Sequence, residues 1–360
     1  MTDVPHLRFP EFSGEWENTE LQYIAPNICS GKDKPTSNGT VALYGSTGII
    51  GMTRLASYNE EIVLVARVGA NAGQLQITTI PCGVTDNTLI INAKEWNRYI
   101  YYYLQHYNLN RLVFGSGQPL ITGSMLKKLK IIYGEESERN KIVNLLCLLD
   151  ERIATQNKII EDLKKLKCAI IEKLYTEIQG EEYSYGQLLE IVNERNKQMG
   201  YSNILSASQE KGMVNREDLN LDIQFEHNNI STYKIVREGD YVIHLRSFQG
   251  GFAFSDKLGV CSPAYTILRP NRLLEFGYLS YYFMSQRFIK SLIIVTYGIR
   301  DGRSINVEEW LNMKTVIPSK EHQLHILKVL RSIEGKIKNE ETYATCLSNQ
   351  KQYLLQQMFI

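Results

Sequence analysis

Two long heptad patterns constrain the fold more than any other feature of the sequence. In residues 142–174 and again in residues 326–358, mainly apolar positions recur at alternating spacings of four and three. This spacing is typical of a coiled-coil seam, in which a helix buries one stripe against a partner. The first seam is Ile142, Leu146, Leu149, Ile153, Gln156, Ile160, Leu163, Lys167, Ile170 and Leu174. The second seam is Ile326, Leu330, Ile333, Ile337, Glu340, Ala344, Leu347, Lys351, Leu354 and Met358.

The seams belong to a longer internal repeat. Residues 305–360 align with residues 121–176 without a gap, and the two polar positions of each seam then coincide. A polar residue in a seam either specifies the register of pairing or lies at its solvated edge, and both readings remain open here. A repeat of this kind predicts two copies of one structural unit.

The segments that precede the seams also correspond. A second alignment, with a slightly smaller constant shift, matches Arg67 with Arg246 and Cys82 with Cys261. Short β-type runs in both copies are separated by turns rich in Gly, Asn and Pro, which predicts strands. Tyrosine-rich amphipathic segments at residues 99–109 and 278–289 predict helices.

We therefore predict a mixed α/β fold with four consecutive parts. A first recognition domain covers residues 1–134, a first helical region 135–178, a second recognition domain 179–318 and a second helical region 319–360. A seam 33 residues long spans roughly 50 Å as a helix and must bury its stripe against a partner. Antiparallel pairing of the two seam helices would give the chain a pseudo-two-fold axis. Two similar domains so arranged suit a ligand that repeats along its length, as B-DNA does.

Composition limits the classes of protein to which the chain could belong. The 40 basic and 39 acidic residues give a net charge of +1, so a DNA-binding surface has to come from local clusters of Lys and Arg. The start of the chain is polar rather than signal-like, no apolar run is long enough to span a bilayer, and the six cysteines form no Cys-x-x-Cys pair. We expect a cytoplasmic protein.

The sequence resembles the specificity subunits of type I restriction–modification enzymes over essentially its whole length. The resemblance rests on the duplicated layout, residues 16–21, residues 44–51 (YGSTGIIG), residues 260–268 (VCSPAYTIL) and the lead-in to the last helix at residues 316–318. The first copy departs from that lead-in, because Tyr133-Gly134 replaces the Ile-Pro of the second.

The resemblance implies a function in DNA recognition. Each recognition domain would read one half of a bipartite site in double-stranded DNA. The helices would set the spacer and dock two methyltransferase (modification) subunits, and a restriction subunit would join the larger assembly. The chain would have no catalytic residues and no metal or cofactor of its own, with S-adenosylmethionine and ATP used only by the partner subunits.

Loops of both domains supply side chains suited to phosphates and base edges. The candidates for DNA binding are Lys32, Lys34, Gly45, Ser46, Thr47, Arg54, Arg67, Gln118, Arg195, Lys197, Lys211, Arg216, Arg246, Arg300 and Arg303. The plain alternative is that the cations are solvated surface charges. The small residues 45–47 would let backbone approach a phosphate, or would simply form a hairpin turn, since no Gly-Lys-Ser/Thr follows as in a P-loop.

Two rival functions can be compared with DNA recognition. A stand-alone DNA methyltransferase or nuclease would need an Asp/Asn-Pro-Pro-aromatic loop or a complete nuclease motif, and the sequence contains neither. A coiled-coil scaffold that binds only proteins would not need two similar domains with basic, glycine-rich loops, but it agrees with the near-neutral charge. DNA recognition explains the repeat and the loops together.

Overall fold

The computed structural model describes residues 4–113, 119–208, 211–219, 227–244, 251–297 and 304–360. The chain divides into two units by the density of its internal contacts. Unit 1 combines Met1–Lys158 with Glu341–Ile360, and unit 2 is Ile159–Glu340. Unit 1 therefore joins the first recognition domain to the end of the chain.

Unit 1 combines short strands with helices. The strands are β1 (Glu17–Glu20), β2 (Cys29–Ser30), β3 (Val41–Gly45), β4 (Gly48–Thr53), β5 (Val63–Ala66), β6 (Leu75–Ile77), β7 (Cys82–Val84), β8 (Thr88–Ile91) and β9 (Lys130–Tyr133). The helices are α1 (Leu21–Ile24), α2 (Asn97–Tyr107), α3 (Gly123–Lys127) and the long α4 (Glu136–Thr176), which continues into unit 2. The strands pair in the orders β2-β8-β5-β6, β4-β3-β7 and β1-β9.

Unit 2 repeats this plan. Its strands are β10 (Glu181–Ser184), β11 (Leu189–Val192), β12 (Leu205–Ser208), β13 (Gly212–Asn215), β14 (Lys234–Val236), β15 (Tyr241–Ile243), β16 (Phe252–Phe254), β17 (Gly259–Cys261), β18 (Thr266–Pro270), β19 (Thr296–Tyr297), β20 (Ser304–Ile305) and β21 (Lys314–Ile317). Its helices are α5 (Tyr185–Leu188), α6 (Tyr278–Tyr282), α7 (Gln286–Ser291), α8 (Val307–Asn312) and the long α9 (Lys320–Met358), which ends in unit 1.

The four-stranded sheets of the two units have the same topology. In unit 2 the order is β11-β18-β15-β16, and every pairing is antiparallel, as it is in the β2-β8-β5-β6 sheet of unit 1. The strands β5 and β15 lie inside these sheets, and all their residues are buried. A continuous apolar run is what such a strand requires. The duplication predicted from sequence is therefore a duplication of fold.

Each recognition domain is closed by a pair of strands at the base of a long helix. In unit 1, β1 pairs with β9 and brings Glu17 opposite Tyr133, shortly before α4 begins. In unit 2, β10 pairs with β21 and brings Glu181 opposite Ile317, shortly before α9 begins. The first and last strands of each domain are thus neighbours.

The two tyrosine-rich segments differ in shape. The first forms one helix, α2, which ends at Asn108 because that residue adopts a left-handed conformation (φ 59°). The second divides into α6 and α7, so the single helix predicted over residues 278–289 is wrong. The division occurs at Ser285, whose side chain accepts a hydrogen bond from the Phe288 N–H (3.1 Å) and caps α7. A capping serine competes with helix continuation, and it prevailed over the apolar periodicity.

The long helices pair antiparallel. In unit 1, Ile142 near the start of α4 shares a core with Met358 at the end of α9. In unit 2, Ile171 near the end of α4 shares a core with Ile326 and Leu330 near the start of α9. The fold is thus mixed α/β, with two similar domains and two long antiparallel coiled-coil helices.

All twenty seam positions are buried or half-buried in the structure, and most of the intervening positions are exposed. Towards the C-terminal end of each helix the most buried face moves by one residue. Ile171 and Tyr175 are more buried than Ile170 and Leu174 in α4, and Leu355 is more buried than Leu354 in α9. A straight α-helix drifts by about 20° per heptad from a strict seven-residue repeat, which accounts for the change of face.

Candidate nucleic-acid interface

A basic loop in unit 1 is held in place by an acidic residue. Lys32 and Lys34 are exposed and flank Asp33 in the loop between β2 and β3. The Asp33 carboxylate accepts hydrogen bonds from the Val84 N–H (2.8 Å) and the Ser57 hydroxyl (2.6 Å). The aspartate is thus engaged with the protein, while both lysines project into solvent.

The β3–β4 hairpin lies beside this loop. The Thr36 N–H donates to the Met52 carbonyl (2.9 Å), and the Thr40 N–H donates to the Thr53 carbonyl (3.1 Å). Arg54 follows β4 directly and is exposed. Neither Lys32, Lys34 nor Arg54 forms an ion pair with any residue that the structure describes. These three exposed cations therefore lie on the β2–β3 loop and the adjoining end of the β3–β4 hairpin.

The glycine-rich stretch of the sequence forms the turn of this hairpin. Gly45 pairs with Gly48, and Ser46 and Thr47 form the two-residue connection between them. Gly48 has a φ of 115°, which favours glycine at that position. The Gln76 side-chain amide donates to the carbonyls of Gly45 and Ser46 (3.0 Å each) and braces the turn. The turn is consequently a rigid projection with the half-buried Ser46 and the exposed Thr47 at its tip.

Apolar side chains beside this turn were not predicted as part of a site. Ile49, Ile50, Met52 and Leu55 are each about half exposed or more, on or just after the edge strand β4. The register between β3 and β4 shifts at Leu43/Tyr44. A shift of register changes which side chains face solvent, so the alternation of the sequence does not reveal this exposure.

The other candidates of unit 1 lie elsewhere. Arg67 follows β5 and is half-buried, with its N–H bonded to the Asn87 carbonyl (3.0 Å) and its carbonyl to the Ile121 N–H (2.9 Å). It belongs to the end of the four-stranded sheet rather than to the β3–β4 hairpin. Gln118 lies outside the described residues.

In unit 2, Arg195 and Lys197 are exposed on either side of a buried asparagine. The Asn196 side chain donates to the Tyr201 carbonyl (2.8 Å) and accepts from the Tyr201 N–H (3.2 Å). Arg195 also forms a β-bridge with Lys234, a cation that the sequence did not single out. Burial lowers the pKa of Lys234, and the neighbouring charge of Arg195 acts in the same direction. The loop thus gathers three cations, the third of which has no signal in the sequence beyond its charge.

The remaining candidates of unit 2 are scattered. Arg216 is half-buried, and its Nε donates to the Ser206 hydroxyl (3.1 Å). Lys211 lies at the β12–β13 turn and lines a groove of about 530 Å³ that also contacts Arg331 and Glu334 of α9. Arg246, Arg300 and Arg303 lie outside the described residues.

In the part of the chain that is described, no group of three His, Cys, Asp or Glu side chains is placed to hold a metal ion. None of the described helices combines the length and the apolar character of a membrane-spanning segment.

Comparison with known proteins finds similarity to one family. Residues 6–165 match the family model described as the type I restriction modification DNA specificity domain. The type I restriction enzyme MjaVIII specificity subunit of Methanocaldococcus jannaschii is 25% identical over 320 residues, which cover 78% of this chain and 73% of that protein. The chain is thus similar to type I specificity subunits over most of its length.

Solved structures of type I specificity subunits share the architecture. The S subunit of a type I restriction–modification system from M. genitalium matches with a TM-score of 0.60 over 99% of both chains, at 15% identity. A chain from a study of complex assembly and conformational transition of the type I R-M system matches with a TM-score of 0.58 over 98% of both chains, at 14% identity.

Proposed function

We propose that this chain is a specificity subunit, which recognises DNA sequence for a type I restriction–modification complex, with each recognition domain reading one half of a bipartite site. The observation that carries the proposal is the repeated fold, in which two domains of the same topology are each seated on the paired long helices. Equivalent domains would present equivalent surfaces to two successive segments of a duplex.

The four parts of the chain would have two different roles. The recognition domains, residues 1–134 and 179–318, would contact DNA. The helical regions, residues 135–178 and 319–360, would set the spacer and dock two methyltransferase subunits, and a restriction subunit would complete the assembly. The bounds of α4 and α9 and the burial of both seams support this division.

In unit 1 the contact surface would be formed by Lys32, Lys34 and Arg54 together with the turn that contains Ser46 and Thr47. The cations would bind phosphates, which positions a protein on DNA without specifying its sequence. The exposed isoleucines beside the turn would lie against the groove, where apolar side chains contact the methyl group of thymine. Unit 2 would use Arg195 and Lys197, with Lys211, Arg216, Arg246, Arg300 and Arg303 as further candidates.

The chemistry would belong to the partners. S-adenosylmethionine would serve the methyltransferase subunits and ATP the restriction subunit, and this chain would need no cofactor to read DNA. We propose that the complex works in the cytoplasm, where the chromosome of a cell without a nucleus is located.

Methylation mapping tests the proposal. The chain is co-expressed with its methyltransferase partner in a host that lacks this modification, and every methylated position in the genome is determined. We expect one split motif, two short sequences separated by a fixed number of unspecified base pairs. A contiguous motif, or methylation that does not depend on this chain, would refute the proposal and favour the protein-binding scaffold.

A second variant tests the spacer separately. Four residues inserted near Gln179, between α4 and the second recognition domain, should change the tolerated spacer while both half-sites stay the same. The matched control is the same insertion between Ser37 and Asn38, in an exposed loop of the first recognition domain, where the spacer should not change. An unchanged spacer in the first variant would contradict the role proposed for the helical regions.

A further inference from the structure

The lysine near the end of the second seam lies in a small cluster of polar groups. Lys351 of α9 is only 15% exposed, and its ammonium group forms an ion pair with the Asp150 carboxylate of α4 (2.6 Å). The second oxygen of that carboxylate accepts a hydrogen bond from the Tyr102 hydroxyl of α2 (2.8 Å). The ammonium group also lies 5.3 Å from the centre of the Tyr102 ring. We name Lys351, Asp150 and Tyr102 the unit-1 cluster.

The lysine of the first seam has the same surroundings in the other unit. Lys167 of α4 is also 15% exposed and forms an ion pair with the Glu334 carboxylate of α9 (2.6 Å). The second carboxylate oxygen accepts a hydrogen bond from the Tyr281 hydroxyl of α6 (2.6 Å). The ammonium group lies 5.5 Å from the centre of the Tyr281 ring. These three residues form the unit-2 cluster.

The two clusters are equivalent under the internal repeat. The gap-free alignment of the two seams places the two lysines on each other, and it does the same for the two acidic residues. The alignment of the preceding segments, which matches Arg67 with Arg246, places the two tyrosines on each other. In each cluster the lysine comes from one repeat, whereas the carboxylate and the tyrosine come from the other. The contact is therefore reciprocal, as in the interface of a two-fold symmetric dimer.

A second reciprocal contact lies about two turns beyond the lysine of each cluster. Tyr175 at the end of α4 packs against Tyr278 in unit 2, with ring centres 5.5 Å apart. Phe359, just beyond α9, packs against Tyr99 in unit 1, with ring centres 5.4 Å apart. These pairs correspond under the same two alignments. Each recognition domain is thus attached to the seam of the opposite repeat by one polar cluster and one aromatic pair.

The polar contact differs in kind from the apolar ones. Leu and Ile positions of a heptad repeat can exchange partners when one helix slips by seven residues, a movement of about 10 Å. A partly buried lysine that slips loses its carboxylate, and one oxygen of that carboxylate loses its ammonium donor. Removing one partner of such a pair is costly when the remaining charge is buried, whereas an apolar replacement of the whole pair often is not. A register in which the lysine does not meet its carboxylate is therefore less stable than the register in which it does.

We propose that the unit-1 and unit-2 clusters are the positioning sites that fix the register of α4 against α9 and seat the tyrosine-bearing helix of each recognition domain on that pair. The consequence for DNA rests on the function proposed above. A slip of about 10 Å corresponds to about three base pairs of B-DNA at 3.4 Å each. The clusters thus restrict the complex to one spacer length.

The structure offers a matched control on the same helix. Lys165 is two residues from Lys167 and forms an ion pair with Glu161, but both side chains are more than 60% exposed. Pairs of that kind contribute little to stability. The test compares Lys167→Glu with Lys165→Glu, which have the same change of charge, and adds the reversed pair Lys167→Glu/Glu334→Lys.

The first measurement does not depend on DNA. Spin labels are attached to Cys168 of α4 and to a cysteine introduced as Ser332→Cys on α9, both exposed positions of unit 2, after the other exposed cysteines are replaced. Pulsed electron resonance then gives the distribution of distances between the labels. We expect one narrow peak for the unmodified cluster, for Lys165→Glu and for the reversed pair. We expect Lys167→Glu to add a second population at longer distance or to broaden the peak, because an axial slip moves the two nearly opposite labels apart.

The second measurement uses the assembled methyltransferase. Lys167→Glu should lower the ratio of methylation at the normal spacer to methylation at altered spacers by about tenfold, since the pair is intermediate between buried and exposed. The reversed pair should restore the ratio. If Lys167→Glu does not fold, Lys167→Met replaces it. We expect Lys167→Met to stay folded but to populate more than one register, as expected for Lys167→Glu.

The outcomes separate the two proposals. A single unshifted distance in Lys167→Glu or Lys167→Met, or failure of the reversed pair to restore the narrow peak, would overturn the role of the clusters. If the wild-type complex methylates no bipartite site, the proposed function fails, and the distance measurement still decides whether the clusters fix the register.

Discussion

The basic loop of unit 1 leads to a quantitative prediction about salt. Each cation that neutralises a DNA phosphate releases counterions, and the slope of log affinity against log salt concentration changes by about 0.9 per contact. Lys32, Lys34 and Arg54 are exposed and lie on adjoining segments of the hairpin and loop. The triple substitution to Ala should therefore make the slope shallower by about 2.7 if each side chain contacts one phosphate.

The effect on affinity follows from the slope. Between about 50 and 200 mM salt the wild-type complex should lose about 40-fold more affinity than the triple variant, because a fourfold change in salt is raised to the power of about 2.7. The assay is fluorescence anisotropy of a labelled duplex that contains the bipartite site, titrated with the assembled methyltransferase at four salt concentrations. A duplex of unrelated sequence should show nearly the same difference, since phosphate contacts do not read bases.

The control removes the same charge elsewhere in unit 1. Lys128, Lys130 and Lys158 are exposed and lie outside the hairpin and its loop. Their triple substitution to Ala should lower the slope far less, through the long-range field alone. If the two triple variants had equal slopes, the hairpin and loop would not form a phosphate-binding surface, and the reasoning that assigns it would be refuted.

Three further predictions concern stability and reactivity. Arg8→Met should lower the free energy of unfolding of unit 1 by about 2 kcal/mol in urea titrations, since it leaves the buried Glu138 carboxylate without the two-pronged hydrogen bond (2.7 and 2.8 Å) from Arg8; an unchanged midpoint would contradict this. Trp310→Ala should lower the free energy of unfolding by about 3–5 kcal/mol in thermal unfolding, because the fully buried indole stacks on Tyr185 with ring centres 4.3 Å apart. A decrease below about 1 kcal/mol would be inconsistent with that packing. At pH 8 a thiol reagent should leave Cys261 unmodified in the folded protein, since burial raises the pKa of that thiol to about 12, and rapid modification would show that the β17 core opens.

The long helices are the part of the fold that the sequence predicted best. Their seams extend over 142–174 and 326–358, and the helices extend over Glu136–Thr176 and Lys320–Met358. A heptad pattern is a local signal repeated many times, so each turn adds to the same prediction. The repeat then identified the equivalence of the two domains, even though the positions of individual strands depend on short segments with weak patterns.

Contacts between residues far apart in sequence could not be predicted in this way. The seam lysines were visible as interruptions of the heptads. The residues that Lys167 meets in its cluster are Glu334 and Tyr281, which lie in distant parts of the sequence and have no distinctive pattern in their own segments. The exposure of Ile49 and Ile50 depends on a shift of register within one hairpin. Such features depend on tertiary geometry, which composition and periodicity do not encode.

The strand pairs that close the recognition domains have a practical consequence for engineering new specificities. Because Glu17 lies opposite Tyr133 and Glu181 opposite Ile317, the chain enters and leaves each domain at points about 5 Å apart. A foreign domain whose ends have the same spacing can be spliced between these points without altering the helices. Exchange of whole domains at these splice points would thus combine any two recognition domains on one scaffold. A small collection of domains would then generate a much larger set of targets.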